Sequence, residues 1–356
     1  MTRLQKIAAA LRERNWDAVL IAGGENLCYA TGFVGLEGMV FVTKDGKGFC
    51  HTDSRYIEAA EAAITPEGYQ VCMPEESYPE AAAALAKKFQ VKLLAFEDRV
   101  MPVSEYEKYR EAVPSVLTCA GDLFETLRGV KEETEVARIV AAQRIAEDAL
   151  RELLPMLKPG AVERELSAEL DYLMAKRGST GVSFPTILVS GTKSSMPHGV
   201  PGEKKLEDGD FVTIDFGAMV GGYHSDMTRT FAIGHATDEM KKVYNIVLQA
   251  QLTGIEAMEV GKSGRAVDAA ARDIIEQAGY GRYFGHGLGH SLGLNIHENP
   301  RASRIWEPLL KQGNVVTVEP GIYLPGKFGV RIEDMVYLGV DGKRNLTEFP
   351  KELMIL

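Results

Sequence analysis

Short apolar runs alternate with amphipathic stretches along the first 120 residues. A helical period over 2–15 is followed by Asp17-Ala-Val-Leu-Ile21, which reads as a buried strand. Gly38-Met-Val-Phe-Val-Thr43 and Lys47-Gly-Phe-Cys-His-Thr52 flank Asp45-Gly46, a hairpin turn signal. Helical periodicity over 55–63 and 80–89 alternates with strand-like Tyr69-Gln-Val-Cys72 and 92–96. This pattern predicts a small α/β domain. It changes around Leu127-Arg-Gly-Val-Lys131, where a long helical segment begins. The boundary is placed there, giving an N-terminal domain over 1–125 and a second domain over 126–356.

The second domain repeats itself. Gly209-Asp-Phe-Val-Thr-Ile-Asp-Phe-Gly217 matches Gly313-Asn-Val-Val-Thr-Val-Glu-Pro-Gly321 at an offset of 104 residues. Gly160 with a helix ending at Gly178 matches Gly261 with a helix ending at Gly279, both at an offset of 101. Each half opens on a long amphipathic helix, with Val136, Ile139, Val140, Leu150, Leu153, Leu154 and Leu157 in one and Met240, Val243, Tyr244, Val247 and Leu248 in the other. Such a repeat decides architecture before local detail does. It predicts two similar αβ halves related by a pseudo-twofold axis, with glycine at the end of each second helix, where positive φ costs glycine least.

Composition narrows the function classes. At 356 residues two domains are the default, since one core rarely grows past about 250–300 residues. Forty Lys and Arg stand against 50 Asp and Glu, a net charge of −10. So acidic a chain lacks the basic face that phosphate binding needs, and neither nucleic acid nor an anionic membrane is an expected partner. No apolar run is long enough to span a bilayer, and the charged N-terminal helix does not read as a signal peptide. The four cysteines, Cys28, Cys50, Cys72 and Cys119, form no C-x-x-C pair, and the expected compartment is the cytoplasm. Beyond Cys119 any metal must use oxygen and imidazole donors, which suit Mn, Co, Mg or Zn.

The repeat places Asp215 and Glu319 at equivalent points of two otherwise apolar strands. A carboxylate there is costly unless paired or bound to metal. Each strand is followed by a turn, Gly221-Gly222 or Leu324-Pro-Gly326, and a return strand bearing a second acid, Asp226 or Glu333. Hairpins closing at those turns set 215 against 226–228 and 319 against 333, about 5 Å apart at Cβ. Like charges at that distance repel unless a cation lies between them, and four converging acids suit two divalent ions. Six of the seven histidines lie in this domain: His198, His224, His235, His286, His290 and His297. Three of them fall in Gly285-His-Gly-Leu-Gly-His-Ser-Leu-Gly-Leu-Asn-Ile-His-Glu298, where glycines allow close backbone approach and imidazoles can ligate or shuttle protons. That run is not a dinucleotide loop, because it lacks the G-x-G-x-x-G spacing and the strand-to-helix context. His235 and Lys241-Lys242 read as surface groups, His51 as structural or surface, and His224 as either site-facing or surface.

Together these residues resemble the pita-bread metallopeptidases, in the branch of proline dipeptidases (prolidases) and aminopeptidase P. The motifs are Pro197-His198-Gly199, Asp215-Phe-Gly217, Tyr223-His-Ser-Asp226-Met-Thr-Arg229-Thr, Gly289-His290-Ser-Leu-Gly293, His297-Glu298, Val318-Glu319-Pro-Gly321 and Arg331-Ile-Glu333-Asp334. The resemblance covers the whole chain. It implies an α/β N-terminal creatinase-type domain followed by an α+β pita-bread catalytic domain with the internal pseudo-twofold repeat. It implies two metal ions on Asp215, Asp226, His290, Glu319 and Glu333, with Asp226 and Glu333 bridging. Mn or Co suits that carboxylate-rich set, and Zn is possible. The implied reaction is hydrolysis of an Xaa-Pro bond in a short peptide. Glu319 would take the proton of the attacking water, His198 and His297 would stabilise charge, His286 would lie beside the substrate, and Arg331 would steer Glu333 or a substrate group.

The expected activity is that of an Xaa-Pro dipeptidase, with aminopeptidase P as the alternative and a non-catalytic binding protein of the same fold as a remoter one. A dipeptidase must grip a free carboxylate, for which Arg301 and Arg304 are candidates beside their ordinary role as solvated loop residues. By the same resemblance the N-terminal domain limits substrate length, often across a homodimer interface. Asn26, Tyr29 and Arg55 sit at predicted element ends where they can reach a neighbouring site or serve structure alone.

Overall fold

The computed structural model describes residues 1–356 and divides the chain into two compact units, Met1–Arg128 and Gly129–Leu356. The first unit is built on a six-stranded sheet. Its spatial order is Tyr69–Cys72, Gly48–His51, Met39–Thr43, Ala18–Ile21, Leu93–Phe96 and Val116–Cys119. The Asp45-Gly46 turn joins an antiparallel pair, with Phe41 opposite Phe49, while Ala18–Ile21 and Leu93–Phe96 run parallel. The central strands are buried on both faces, which is why they read as continuous apolar runs.

The sequence pattern misses the helix Gly24–Thr31, the helix Val103–Ala112 and the half-exposed edge strand Val116–Cys119. Gly24–Thr31 has no side-chain cap of its own. A distant carboxylate serves instead: Glu97 accepts from the Ala22 and Gly23 N–H groups and from Asn26 Nδ2. Asn26 also receives Arg128 Nη1 at 2.8 Å, and Tyr29 is buried. Both make contacts inside this unit, which supports the structural one of their two readings. Arg55 is exposed and ion-paired to Asp53 and Glu37.

The second unit carries the repeat. Its first half packs the helices Glu133–Leu153 and Glu163–Lys176 with the antiparallel strands Ile187–Ser190, Phe211–Phe216 and Met227–Ala232. The second half packs Asp238–Ala257 and Gly264–Gln277 with a five-stranded sheet ordered Glu298–Ala302, Gly289–Ser291, Val315–Val318, Asp334–Gly339 and Gly342–Asn345. Each half has its own apolar core, one around Ile214, Phe216 and Leu170 and the other around Val247, Val316 and Val318. Each also sends out a short hairpin at the matching place, Met219–Val220 with Tyr223–His224 and Gly321–Leu324 with Phe328–Arg331. Gly178 and Gly279 follow the second helices at φ of +97° and +86°, as the repeat requires.

The halves are joined through charge. Thr228 and Glu333 pair across the seam, with the Glu333 N–H 3.1 Å from the Thr228 carbonyl. Beside them the Arg229 guanidinium, 1% exposed, meets the fully buried Asp334 at 2.9 Å. Arg229 also donates to the carbonyls of Thr228, Glu333, Phe349 and Pro350. Asp334 takes Lys351 and Asn345 on its other oxygen. Burial pushes the Asp334 carboxyl up, but Arg229 and Lys351 outweigh it and hold it below its ordinary value. Removing one partner of such a pair leaves an uncompensated buried charge, a loss of about 3–5 kcal/mol. Arg229→Met is therefore expected to lower stability by about that amount in urea unfolding of the full chain. A midpoint equal to that of the wild type contradicts this role.

Candidate metal centre and active site

Four acids meet where the two larger sheets of the second unit end. Asp215 lies one residue from the end of Phe211–Phe216, opposite Thr228. Asp226 immediately precedes Met227–Ala232. Glu319 immediately follows Val315–Val318, and Glu333 immediately precedes Asp334–Gly339. Val318 pairs with Asp334, so one further step of that ladder sets Glu319 against Glu333. His290 enters from Gly289–Ser291 and stands with Nε2 3.4 Å from Glu319 Oε1 and 3.6 Å from Asp226 Oδ2. Gly289 must be glycine here, because a methyl on it would run into the Thr317 carbonyl.

These groups fit a cation. Ligand atoms of Asp226, His290 and Glu333 all lie within 4.8 Å of one another. Asp215 Oδ1 and Asp226 Oδ1 are buried and lack any hydrogen-bond partner. A buried carboxylate oxygen without a donor is expensive, and a cation is the missing partner that this donor set suits. The protein alone responds as expected. Burial first, then the charges of Asp215 and Glu319, raises Asp226 well above the ordinary carboxylate range. Glu333 is raised in the same way by burial, Asp226 and Glu319. Burial pushes Glu319 up to about 8 against the opposing pull of Arg331. Burial and the nearby His297 push His290 down to about 3, so its imidazole is neutral. The His290 Nδ1 faces the Ser291 carbonyl at 3.1 Å, which assigns the proton to Nδ1 and points the Nε2 lone pair at the acids.

Neighbouring hydroxyls and a guanidinium orient the carboxylates. Thr228 Oγ1 donates to Glu333 Oε2 at 2.7 Å. Thr317 Oγ1 accepts from the His290 N–H at 3.0 Å and donates to Glu319 Oε1 at 3.2 Å. Arg331 Nη2 grips Asp215 Oδ2 at 2.6 Å and its Nε reaches Thr228 Oγ1. The sequence parity that paired Arg331 with Glu333 thus gives way to a contact across the seam: Arg331 holds Asp215, and Thr228 holds Glu333. Arg331 Nη1 also donates to Tyr323 Oη, whose hydroxyl faces His286 Nε2 at 2.9 Å.

A cavity of about 940 Å³ opens over the acids, and His198, His286, His297 and Arg301 line it. His198 and His297 are exposed to it, while burial pushes His286 down to about 4. Two buried anchors hold histidine-bearing loops. Glu163, fully buried, accepts from the Ser190 N–H and hydroxyl, from Lys193 Nζ and from the Gly202 N–H, and so clamps both ends of the loop with His198. The Asp268–Arg272 pair bonds the Leu288 N–H and the carbonyls of Phe284 and His286. Arg304 also lines the cavity and lies 3.4 Å from Glu276. His224 is buried against the Gly293 carbonyl, and His235 pairs with Asp208 at the surface.

Thr228, Thr317, Tyr323, Glu163 and the Asp268–Arg272 pair are absent from the sequence reading. Strand parity could have found Thr317, two residues from the Glu319 that it orients, but not Thr228, which acts across the seam on Glu333. Nothing local separates Glu163 from a solvated glutamate at the start of a helix.

Comparison with known proteins agrees with this geometry. Residues 137–339 match metallopeptidase family M24, and residues 3–130 match the creatinase/prolidase N-terminal domain. The chain is similar to the structure of an Xaa-Pro dipeptidase from Bacillus anthracis, at 40% identity and a TM-score of 0.95 over 99% of both chains. It is also similar to the structure of an X-Pro aminopeptidase from Thermotoga maritima, at 34% identity and a TM-score of 0.92 over 98% of this chain and 99% of that one. A Pyrococcus horikoshii Xaa-Pro dipeptidase is 34% identical over 99% of this chain and 98% of its own length. The chain belongs to the M24 metallopeptidases, with a creatinase-type N-terminal domain and a pita-bread catalytic domain. Its family implies a divalent metal, and Asp226, His290 and Glu333 form a candidate site for it.

A ligand that binds only the folded state raises stability by mass action, by about 2.7 kcal/mol at one hundred times Kd. Mn²⁺ is therefore expected to raise the thermal midpoint of the wild type. Asp226→Asn and Glu333→Gln should abolish that rise without lowering the midpoint of the metal-free protein, since each relieves like-charge repulsion. An undiminished rise in either variant contradicts the assignment.

Proposed function

We propose that the chain is an Xaa-Pro dipeptidase acting on short peptides, with two divalent ions held by Asp215, Asp226, His290, Glu319 and Glu333. The observation that carries this reading is the buried acid cluster opening into a cavity whose wall offers three histidines and Arg301. Asp226 and Glu333 would bridge the ions. Four carboxylates among five donors favour Mn or Co over Zn. Bound there, the ions supply a water acidic enough to act as a nucleophile near neutral pH.

The chain's own groups do the rest. Glu319 accepts the proton of the attacking water. His297 and His198 donate hydrogen bonds to the carbonyl oxygen as it gains charge. The C–N bond of the tertiary amide then breaks, and the proton passes to the proline nitrogen, which has none of its own. Arg301, exposed in the cavity wall and without an ion pair, would grip the free proline carboxylate of a dipeptide. Arg304 is a weaker candidate because it already approaches Glu276.

Aminopeptidase P activity is the second reading. The size of the cavity and the likeness to the T. maritima enzyme favour it. A homodimer in the cytoplasm belongs to the proposal as well. The four cysteines are unpaired thiols, as a reducing compartment would keep them. Mass in solution checks the dimer.

Chelation should remove activity, and Mn or Co should restore it. On Ala-Pro, His297→Ala is expected to lower kcat by about 10²–10⁴-fold with the metal retained. Metal loss in step with activity would make His297 a ligand instead. Arg301→Ala should raise KM for Ala-Pro and leave that for Ala-Pro-Ala little changed. Faster cleavage of Ala-Pro-Ala than of Ala-Pro by the wild type decides for the aminopeptidase.

A further inference from the structure

Lys131 stands at the start of the second unit, and its side chain is 1% exposed. Its Nζ donates to Ser291 Oγ at 3.0 Å and to Glu298 Oε2 at 3.0 Å. Ser291 follows His290 in the chain, and Glu298 follows His297. The Lys131 N–H is bonded to the Gly313 carbonyl at 2.8 Å, just ahead of the strand that leads to Glu319. Lys131 thus ties the segment leading to the Glu319 strand, through its backbone N–H, to the neighbours of two histidines, through its buried ammonium.

The surroundings are built for that contact. The second Glu298 oxygen accepts the Asn295 N–H at 3.0 Å, closing the loop between the histidines. A methyl on Gly293 would lie 3.0–3.1 Å from the Glu298 carboxylate oxygens, so glycine leaves room for the carboxylate. The rings of His290 and His297 meet edge to face at 4.5 Å between centroids. The His297 ring makes no hydrogen bond to the protein, so its direction depends on that ring contact and on the backbone that Glu298 fixes. A buried ion pair is a weak source of stability, and its best-attested use is to specify one arrangement among several.

We propose that Lys131 is a positioning residue, which through Glu298 fixes the His297 segment against His290 and so sets the reach of His297 to the substrate carbonyl. The inference rests on the role proposed above for His297. Lys131→Met alone would strand a buried carboxylate, so Lys131→Met/Glu298→Gln, which keeps neither charge, is the second variant. The expected result in both is a kcat on Ala-Pro lowered by about 10–100-fold, with KM and bound Mn unchanged. In a His297→Ala background the same substitutions should cost less than about twofold, because their effect acts through that side chain.

A kcat equal to the wild type in the double variant overturns the inference. So does a loss that persists in full without the His297 imidazole, or one that follows loss of Mn. If His297→Ala itself leaves kcat unchanged, the proposed role of His297 falls, and this inference with it. The other outcomes overturn the inference alone.

Discussion

Four carboxylates gathered in one buried place repel one another, and the second unit is arranged around that repulsion. Among Asp215, Asp226, Glu319 and Glu333, only Asp215 is gripped by a guanidinium, that of Arg331, while Arg301 acts on Glu319 from the cavity wall. The other three have no such partner, and their ionised charge exceeds what one divalent ion neutralises, which is the ground for proposing two. Without ions Asp226 and Glu333 rise well above their ordinary range, since burial and mutual repulsion both favour the neutral form. A fold that selects such a cluster has selected for a cation.

The remaining buried charges near the site are in pairs, and each pair ties segments together. Arg229 and Asp334 lock the seam that sets Thr228 beside Glu333. Glu163 clamps the loop bearing His198, and Asp268 with Arg272 holds the one bearing His286. The helices Glu163–Lys176 and Gly264–Gln277, which supply the last two anchors, are the matching second helices of the repeat. Duplication thus supplied two similar scaffolds, each lending a hairpin with two acids and a helix that steadies a histidine loop.

The acids were legible because burial made them conspicuous. A lone Asp in Val-Thr-Ile-Asp-Phe and a lone Glu in Val-Thr-Val-Glu-Pro stand out against apolar neighbours, and the repeat aligned them. Strand parity then paired them with Asp226 and Glu333. Groups that act across the seam were not legible, since parity within one hairpin assigned Arg331 to Glu333 while the structure gives it to Asp215. Helix starts were opaque for the same reason: Gly24–Thr31 depends on Glu97, more than 60 residues away in the chain. Short-range pattern recovers periodicity and register, and long-range polar contacts leave no local trace.

The number of divalent ions bound per chain tests the central claim most directly. Native mass spectrometry of the full protein after chelation and reloading with Mn²⁺ reads it without reference to any substrate. The charge count predicts two ions per chain in the wild type and fewer than two in Glu333→Gln. A wild type that takes up no ion, or one only at saturation, contradicts the account.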